Sequence, residues 1–156
     1  SRFGPMRAAV DTGGTFTEVS CMGKPSSVPH LQPANNDYAN PFGSEIALLR
    51  TSEGGMSRMA VCWDMPSAHG EVGRIYGEKV PKGDVATDRP PLPPGVVGGG
   101  HGGSHGHLTT EFIDALLRDR KPLIDIVQSL NMTVPGIVAH QSALKDGELL
   151  KIPQYK

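Results

Sequence analysis

The chain has 156 residues, of which 15 are basic, 16 are acidic and six are histidine, giving a net charge of −1. This length fits one domain with a hydrophobic core of its own. The balanced charge excludes the strongly basic surface of a nucleic-acid-binding or membrane-surface protein. No apolar run approaches the length of a membrane span, and no signal-peptide pattern is present. Cys21 and Cys62 stand in apolar, strand-like segments, so we expect free thiols in a reducing cytoplasm and no disulfide.

The first half of the chain predicts strands separated by loops, because apolar and polar residues alternate between breaks rich in Gly or Pro. The predicted segments are extended stretches within 6–23, a Pro/Ser/Asn-rich loop over 24–43, a hairpin with strands 45–51 and 56–64, and a strand over 71–80. The hairpin turn is Ser52-Glu53-Gly54-Gly55. In its second strand, Met59, Val61 and Trp63 share one face, and Arg58 lies on the other as a candidate interface residue.

The last third of the chain predicts helices. Residues 81–107 form a long Pro/Gly/His loop, and helical spacing of apolar residues follows over 108–145. The second helix begins near Asp125 and contains Pro135, where we expect a kink. Residues 148–152 predict a short edge strand. The sequence therefore predicts one α+β domain over residues 1–156, an open and mainly antiparallel sheet with two C-terminal helices packed on one face.

The segment from Gly98 to His107 carries half of the chain's histidines on a backbone made almost entirely of glycine. Glycine lets the backbone approach a ligand closely, and the free N–H groups of a helix start attract oxygen-rich molecules. We predict that His101 and His105 are catalytic, with His105 near the end of the loop and Ser104 capping the helix. The expected substrate contacts come from Gly100, Gly102, Gly103, Ser104 and His30. The alternative is a flexible glycine linker with incidental histidines.

The same histidines suggest a divalent metal ion. The spacing of His101, His105 and His107 suits a site of two histidines completed by a carboxylate, for which we select Glu111. No calcium-loop motif is present. Hydrogen bonding of His101 and His105 to a substrate is the preferred alternative, because a helix N-terminus favours a neutral imidazole base.

Three other residues are candidates with simpler explanations. His30 lies in the predicted 24–43 loop, where it either reaches a pocket or is solvated. His140 lies near the apolar stripe of the second helix and is expected to be buried with its hydrogen bonds satisfied. Trp63 is expected in the core, with an exposed platform for a sugar as the alternative.

Several short motifs, in this order, resemble the C-terminal domain of the Gfo/Idh/MocA oxidoreductases. The matching stretches are Thr17-Glu18-Val19-Ser20-Cys21-Met22-Gly23, Glu53-Gly54-Gly55-Met56-Ser57-Arg58, Gly99-Gly100-His101-Gly102-Gly103-Ser104-His105, Glu111-Phe112 and Pro135-Gly136-Ile137-Val138-Ala139-His140-Gln141-Ser142-Ala143-Leu144. The resemblance implies an open sheet backed by helices, a pocket for a sugar, polyol or lactone, and association of copies through the sheet.

The chain departs from that family in two ways. No G-x-G-x-x-G follows a strand, and the family's glutamate-lysine-proline element is missing, with Gly23-Lys24-Pro25 in its place. Without a nucleotide cofactor there is no hydride carrier, so we expect no NAD binding. Two hypotheses remain. One is a cofactor-free, metal-assisted or metal-independent hydrolase of small lactones or esters. The other is a non-catalytic sugar-binding or oligomerisation module, a fragment of an NAD(P)-dependent sugar oxidoreductase.

Overall fold

A computed structural model of the chain describes residues 14–65 and 91–156. Two predicted strands, within 6–10 and 71–80, and the start of the predicted 81–107 loop lie outside these residues. The chain divides into two compact units, Ser1–Ala8 with Gly70–Asp125, and Ala9–His69 with Ile126–Lys156. They are called here the helical unit and the sheet unit.

The sheet unit contains a four-stranded antiparallel sheet in the order β3-β2-β1-β4. Its elements are β1 (Phe16–Lys24), a 3-10 helix (Pro29–Leu31), β2 (Ser44–Thr51), β3 (Met56–Cys62), α2 (Ile126–Ala143) and β4 (Leu150–Lys151). The predicted hairpin is confirmed, with β2 and β3 joined by a turn in which Gly54 adopts φ +82°. Glycine adopts this left-handed conformation without a steric penalty.

Helix α2 packs against one face of the sheet, mainly along β1. Alternate residues of β1 and β2 point toward it, and the helix contributes small residues that allow a close approach. The buried core consists of Val19, Cys21, Ala47, Leu49, Val138, Ala139, Ala143 and Ile152. Pro135 lies inside α2, as the sequence predicts, and is fully buried.

A serine hydroxyl fastens α2 to the sheet. The backbone N–H of Cys21 donates to Ser142 Oγ at 2.9 Å, and that hydroxyl donates to the carbonyl oxygen of Glu148 at 2.6 Å. Ser142 is completely buried. Because a buried backbone group without a partner is costly, this hydroxyl links β1, the end of α2 and the approach to β4.

The helical unit is described over residues 91–125, where it contains α1 (Gly100–Leu117). At the C-terminal end of α1, Arg120 makes a bidentate ion pair with Glu111, at 2.8 and 2.9 Å, and a further contact of 2.7 Å with Asp114. These contacts hold the chain that follows the helix against its last turns.

The α+β class, the open antiparallel sheet and the two C-terminal helices are confirmed. The predicted edge strand is present but is limited to Leu150 and Lys151. One boundary is wrong, since α1 begins at Gly100 and the end of the predicted 81–107 loop is helical. Within the described residues, neither helix combines the length and apolar character needed to cross a bilayer.

Candidate functional site

The glycine- and histidine-rich segment forms the first turns of α1. The N-cap is Gly99, with φ +74°, and no side chain caps the helix. The predicted capping role of Ser104 is therefore wrong, because that residue lies inside the helix. Gly103 has φ +92°, so the regular helical conformation is interrupted between His101 and His105.

His105, the member of the predicted catalytic pair whose side chain is described, lies against the backbone of Gly99 and Gly100. A Cβ added to Gly99 would come within 3.1 Å of His105 Cβ, and one added to Gly100 would come within 3.1 Å of His105 Cε1. A backbone hydrogen bond joins the two ends of the segment, since the N–H of Gly106 donates to Gly98 O at 2.7 Å. His105 itself is exposed, whereas Ser104 and His107 are half-buried. The side chain of His101 lies outside the described residues.

One of the predicted metal ligands has protein partners of its own. Glu111, the selected carboxylate, is bound by Arg120 and accepts the backbone N–H of Leu123 at 2.8 Å. Among residues 14–65 and 91–156, as far as their side chains are described, no group of three or more His, Cys, Asp and Glu residues is arranged to hold a metal ion. A metal at His101, His105, His107 and Glu111 therefore stays a prediction.

A second histidine centre, not predicted from the sequence, joins α2 to β2. His140 Nδ1 lies 2.5 Å from Glu45 Oε1. The ring of Phe42 meets the imidazole edge-on, with 6.1 Å between ring centroids. The His140 side chain is 34% exposed and Glu45 is half-buried. The expectation of a hydrogen-bond partner for His140 is confirmed at Nδ1, but the expectation that the side chain is buried is wrong.

The surroundings of this pair, called here the Glu45–His140 pair, are apolar and accessible. Ile137 precedes His140 by one helical turn and Leu144 follows it by one turn, and both are exposed. Val61, the cross-strand partner of Glu45, is also exposed. Exposed apolar side chains thus lie one turn before His140, one turn after it, and beside Glu45 on the neighbouring strand.

Trp63 is 76% exposed, so its predicted place in the core is wrong. It follows β3, and its backbone N–H donates to Gly43 O at 2.9 Å. His30 is exposed in the 3-10 helix of the same unit. His30 belongs to the sheet unit, whereas the glycine segment belongs to the helical unit.

A charged cluster lies at the end of the sheet where β1 ends and β2 begins. Asp64 accepts hydrogen bonds from Lys24 Nζ, at 2.8 Å, and from Ser44 Oγ. Lys24 first, and then the Ser44 and Ser26 hydroxyls, lower the pKa of Asp64 to about 2, against the opposing effect of burial. The cluster keeps this carboxylate ionised and occupied within the chain, as expected of a structural ion pair.

The face of the sheet opposite α2, called here the open face, is apolar in its centre. The register aligns Met22 with Ile46 and Ala60, and Leu48 with Ser20 and Arg58. Met22 is 67% exposed, Met56 is 73% exposed, and Ile46 and Leu48 are about half exposed. Among residues 14–65 and 126–156 of the sheet unit, no element covers these side chains.

Comparison of the chain with protein-family models, curated proteins and solved structures finds no match.

Proposed function

We propose that this chain acts as an assembly module that pairs with a second copy of itself through the open face. The observation that carries the proposal is the contiguous apolar surface formed by Met22, Ile46, Leu48 and Met56. Exposed apolar patches of this kind mark interaction sites. The Gfo/Idh/MocA resemblance implies association through the same surface.

The arrangement of residues favours a second copy over an unrelated partner. A two-fold axis along β2 places β1 of one copy over β3 of the other, with the strands aligned as in packed sheets. Met22 then faces the small Ala60 of its partner, and Ile46 and Leu48 meet their own copies. Arg58 lies opposite Ser20 of the partner. The surface is therefore complementary to itself in size.

The size of the open face sets the expected strength of association. Three strands about 4.8 Å apart and about 25 Å long present roughly 350 Å², whereas a standard interface buries about 800 Å² per partner. The apolar centre needs a surrounding rim to reach that area, so we expect a dimer that dissociates at micromolar concentration.

Sedimentation velocity over a range of concentrations tests the proposal. Leu48→Glu introduces a charge in the centre of the open face and shifts the protein to monomer. Tyr38→Glu, at an exposed loop position of the same unit, is the matched control and leaves the dimer intact. A wild-type protein that stays monomeric up to about 1 mM, or a Leu48→Glu protein that still dimerises, overturns the proposal.

One observation favours a second candidate function, hydrolysis of small, sugar-like lactones or esters at the glycine- and histidine-rich segment. The exposed His105 lies against Gly99 and Gly100 at the start of α1. The first backbone N–H groups of a helix have no acceptor within the helix, and such groups can stabilise an oxyanion. His101 and His105 act as bases, or hold a divalent metal ion that activates water. The reaction requires no nucleotide.

The assay for this candidate is hydrolysis of simple lactones by wild type, His101→Ala and His105→Ala, each with and without a chelator. Loss of activity in both variants supports the site, and sensitivity to the chelator assigns the metal. Full activity in both variants excludes the glycine- and histidine-rich segment as the site of hydrolysis.

A reducing cytoplasmic location belongs to the same proposal, because Cys21 and Cys62 are both free thiols. We expect neither a nucleic acid nor a membrane as partner, given the net charge of −1.

A further inference from the structure

The Glu45–His140 pair supports a catalytic role that is independent of self-association. We infer that His140 is a general base for the hydrolysis of small apolar esters, and that Glu45 is the residue that positions it. The inference starts from the 2.5 Å contact between Nδ1 and the carboxylate. It lies within the sheet unit and involves neither His101 nor His105.

The contact fixes which ring nitrogen is available for chemistry. An ionised carboxylate only accepts hydrogen bonds, so Nδ1 must carry the hydrogen that it shares with Glu45. In the neutral imidazole the other nitrogen, Nε2, is then unprotonated and accepts a proton. Phe42 contacts the ring from the side. Contact with Glu45 and Phe42 limits rotation of the ring, and this orientation is what a positioned base requires.

The surroundings define the substrate class. The imidazole is one-third exposed, and its helical neighbours Ile137 and Leu144 are exposed apolar side chains. On the neighbouring strand, Val61 adds a further exposed apolar side chain beside Glu45. Gly136, one turn before His140, has no atom within 4 Å of an added Cβ, so space is open on that side. A small aryl or alkyl ester fits such an apolar surround better than a charged substrate does.

The reaction is balanced without a cofactor. His140 Nε2 removes a proton from water as the water oxygen forms a bond to the acyl carbon, and the carbonyl electron pair moves to oxygen. When the tetrahedral intermediate collapses, the ester C–O bond breaks and the alkoxide takes the proton from Nε2. The products are a carboxylic acid and an alcohol, and His140 returns to its neutral form.

The experiment measures hydrolysis of 4-nitrophenyl acetate by the full chain, against 4-methylimidazole at the same concentration. His140→Asn is the informative variant, because the amide nitrogen of Asn can replace Nδ1 as donor to Glu45 while no base remains. We expect its rate to fall about 100-fold. Gln141→Ala, at the exposed position that follows His140 on α2, is the matched control and keeps the wild-type rate. Hydrolysis at the glycine segment would leave the rate of His140→Asn unchanged, so the same comparison separates the two sites.

Glu45 is tested by comparing two variants. Glu45→Gln keeps a hydrogen-bond acceptor for Nδ1–H and retains most of the activity, whereas Glu45→Leu removes the acceptor and loses it. The ¹⁵N chemical shifts of His140 report the tautomer directly, with a hydrogen on Nδ1 in wild type and in Glu45→Gln, and a mixture in Glu45→Leu. A purely structural contact predicts no such link between tautomer and rate.

Three results would overturn the inference. They are a wild-type rate no greater than that of 4-methylimidazole, an unchanged rate in His140→Asn, and a wild-type tautomer with its hydrogen on Nε2. The last measurement uses the unmodified protein, so it decides the question even where a variant fails to fold. Loss of hydrolysis leaves the sedimentation result unaffected, which keeps the inference separate from the proposed dimer.

Discussion

The two faces of the sheet are built from alternate residues of the same strands, but the described part of the sheet unit covers only one of them. On β2, Leu49 is 1% exposed beneath α2, whereas its neighbour Leu48 is 54% exposed on the open face. The covered face carries Val19, Cys21, Ala47 and Leu49, and Ser142 links it to α2. The open face carries larger apolar side chains with charged residues at its edges. The difference teaches that folding of this unit uses one face and leaves the other available for a partner.

The largest contrast is expected in thiol reactivity. Cys21 lies on the covered face, where burial first and the nearby Glu45 carboxylate second raise the pKa of its thiol to about 11. Cys62 lies on the open face and is half-buried. We expect iodoacetamide to label Cys62 more than about 1,000-fold faster, because Cys21 reacts only after an opening that costs much of a stability of ~5 kcal/mol or more. Mass spectrometry of the labelled peptides measures both rates, and equal rates would show that α2 does not protect the covered face.

The next contrast concerns two neighbouring leucines. Leu49→Ala removes a fully buried side chain and is expected to cost about 2–5 kcal/mol. Leu48→Ala removes an exposed one and is expected to cost less than about 1 kcal/mol in the monomer. Urea unfolding at a protein concentration below that of dimerisation measures both free energies. Similar losses for the two variants would mean that the open face is also packed in solution.

A smaller effect is expected from the hydroxyl between the covered face and α2. Ser142→Ala leaves the N–H of Cys21 and the carbonyl of Glu148 without their partner. We expect a loss of about 2 kcal/mol, since one buried group without a partner costs roughly 1–3 kcal/mol. Ser20→Ala, which removes a half-buried hydroxyl that donates to Gly147 O, is the comparison and loses less stability. Thermal unfolding of both variants shows which substitution loses more stability.

The smallest effect belongs to the charged cluster of Lys24, Ser44 and Asp64. The folded pKa of Asp64, about 2, lies below its ordinary value of 3.8. The stabilising contribution of its ionised form is therefore complete above about pH 4 and is lost as the pH falls toward 2. We expect Asp64→Asn to be less stable than wild type at pH 6 and to lose less stability between pH 4 and pH 2. Urea midpoints at these pH values give the comparison, and parallel losses in both proteins would contradict the assignment.

The regular parts of this fold follow from local patterns, and the sites do not. Alternation predicts β2 and β3, and the apolar stripe predicts α2, because each pattern repeats within a few residues. The helical start at Gly100 is not predictable from propensity, since glycine disfavours helices by about 1 kcal/mol per residue. The Glu45–His140 pair joins residues 95 positions apart. Nothing near either residue indicates the other, because only the packing of α2 on the sheet brings them together.

The sheet unit is assembled from two separate stretches of chain, with Gly70–Asp125 between them. The pairing of β1 with β4 and the packing of α2 therefore wait until this intervening stretch has been synthesised. Closing a loop on the order of 60 residues costs about 3–4 kcal/mol of chain entropy, but doubling its length adds only about 0.6 kcal/mol. The delay slows folding, since distant contacts must form before they stabilise the chain. The same arithmetic leaves the intervening stretch free to change greatly in length during evolution at little thermodynamic cost to the sheet.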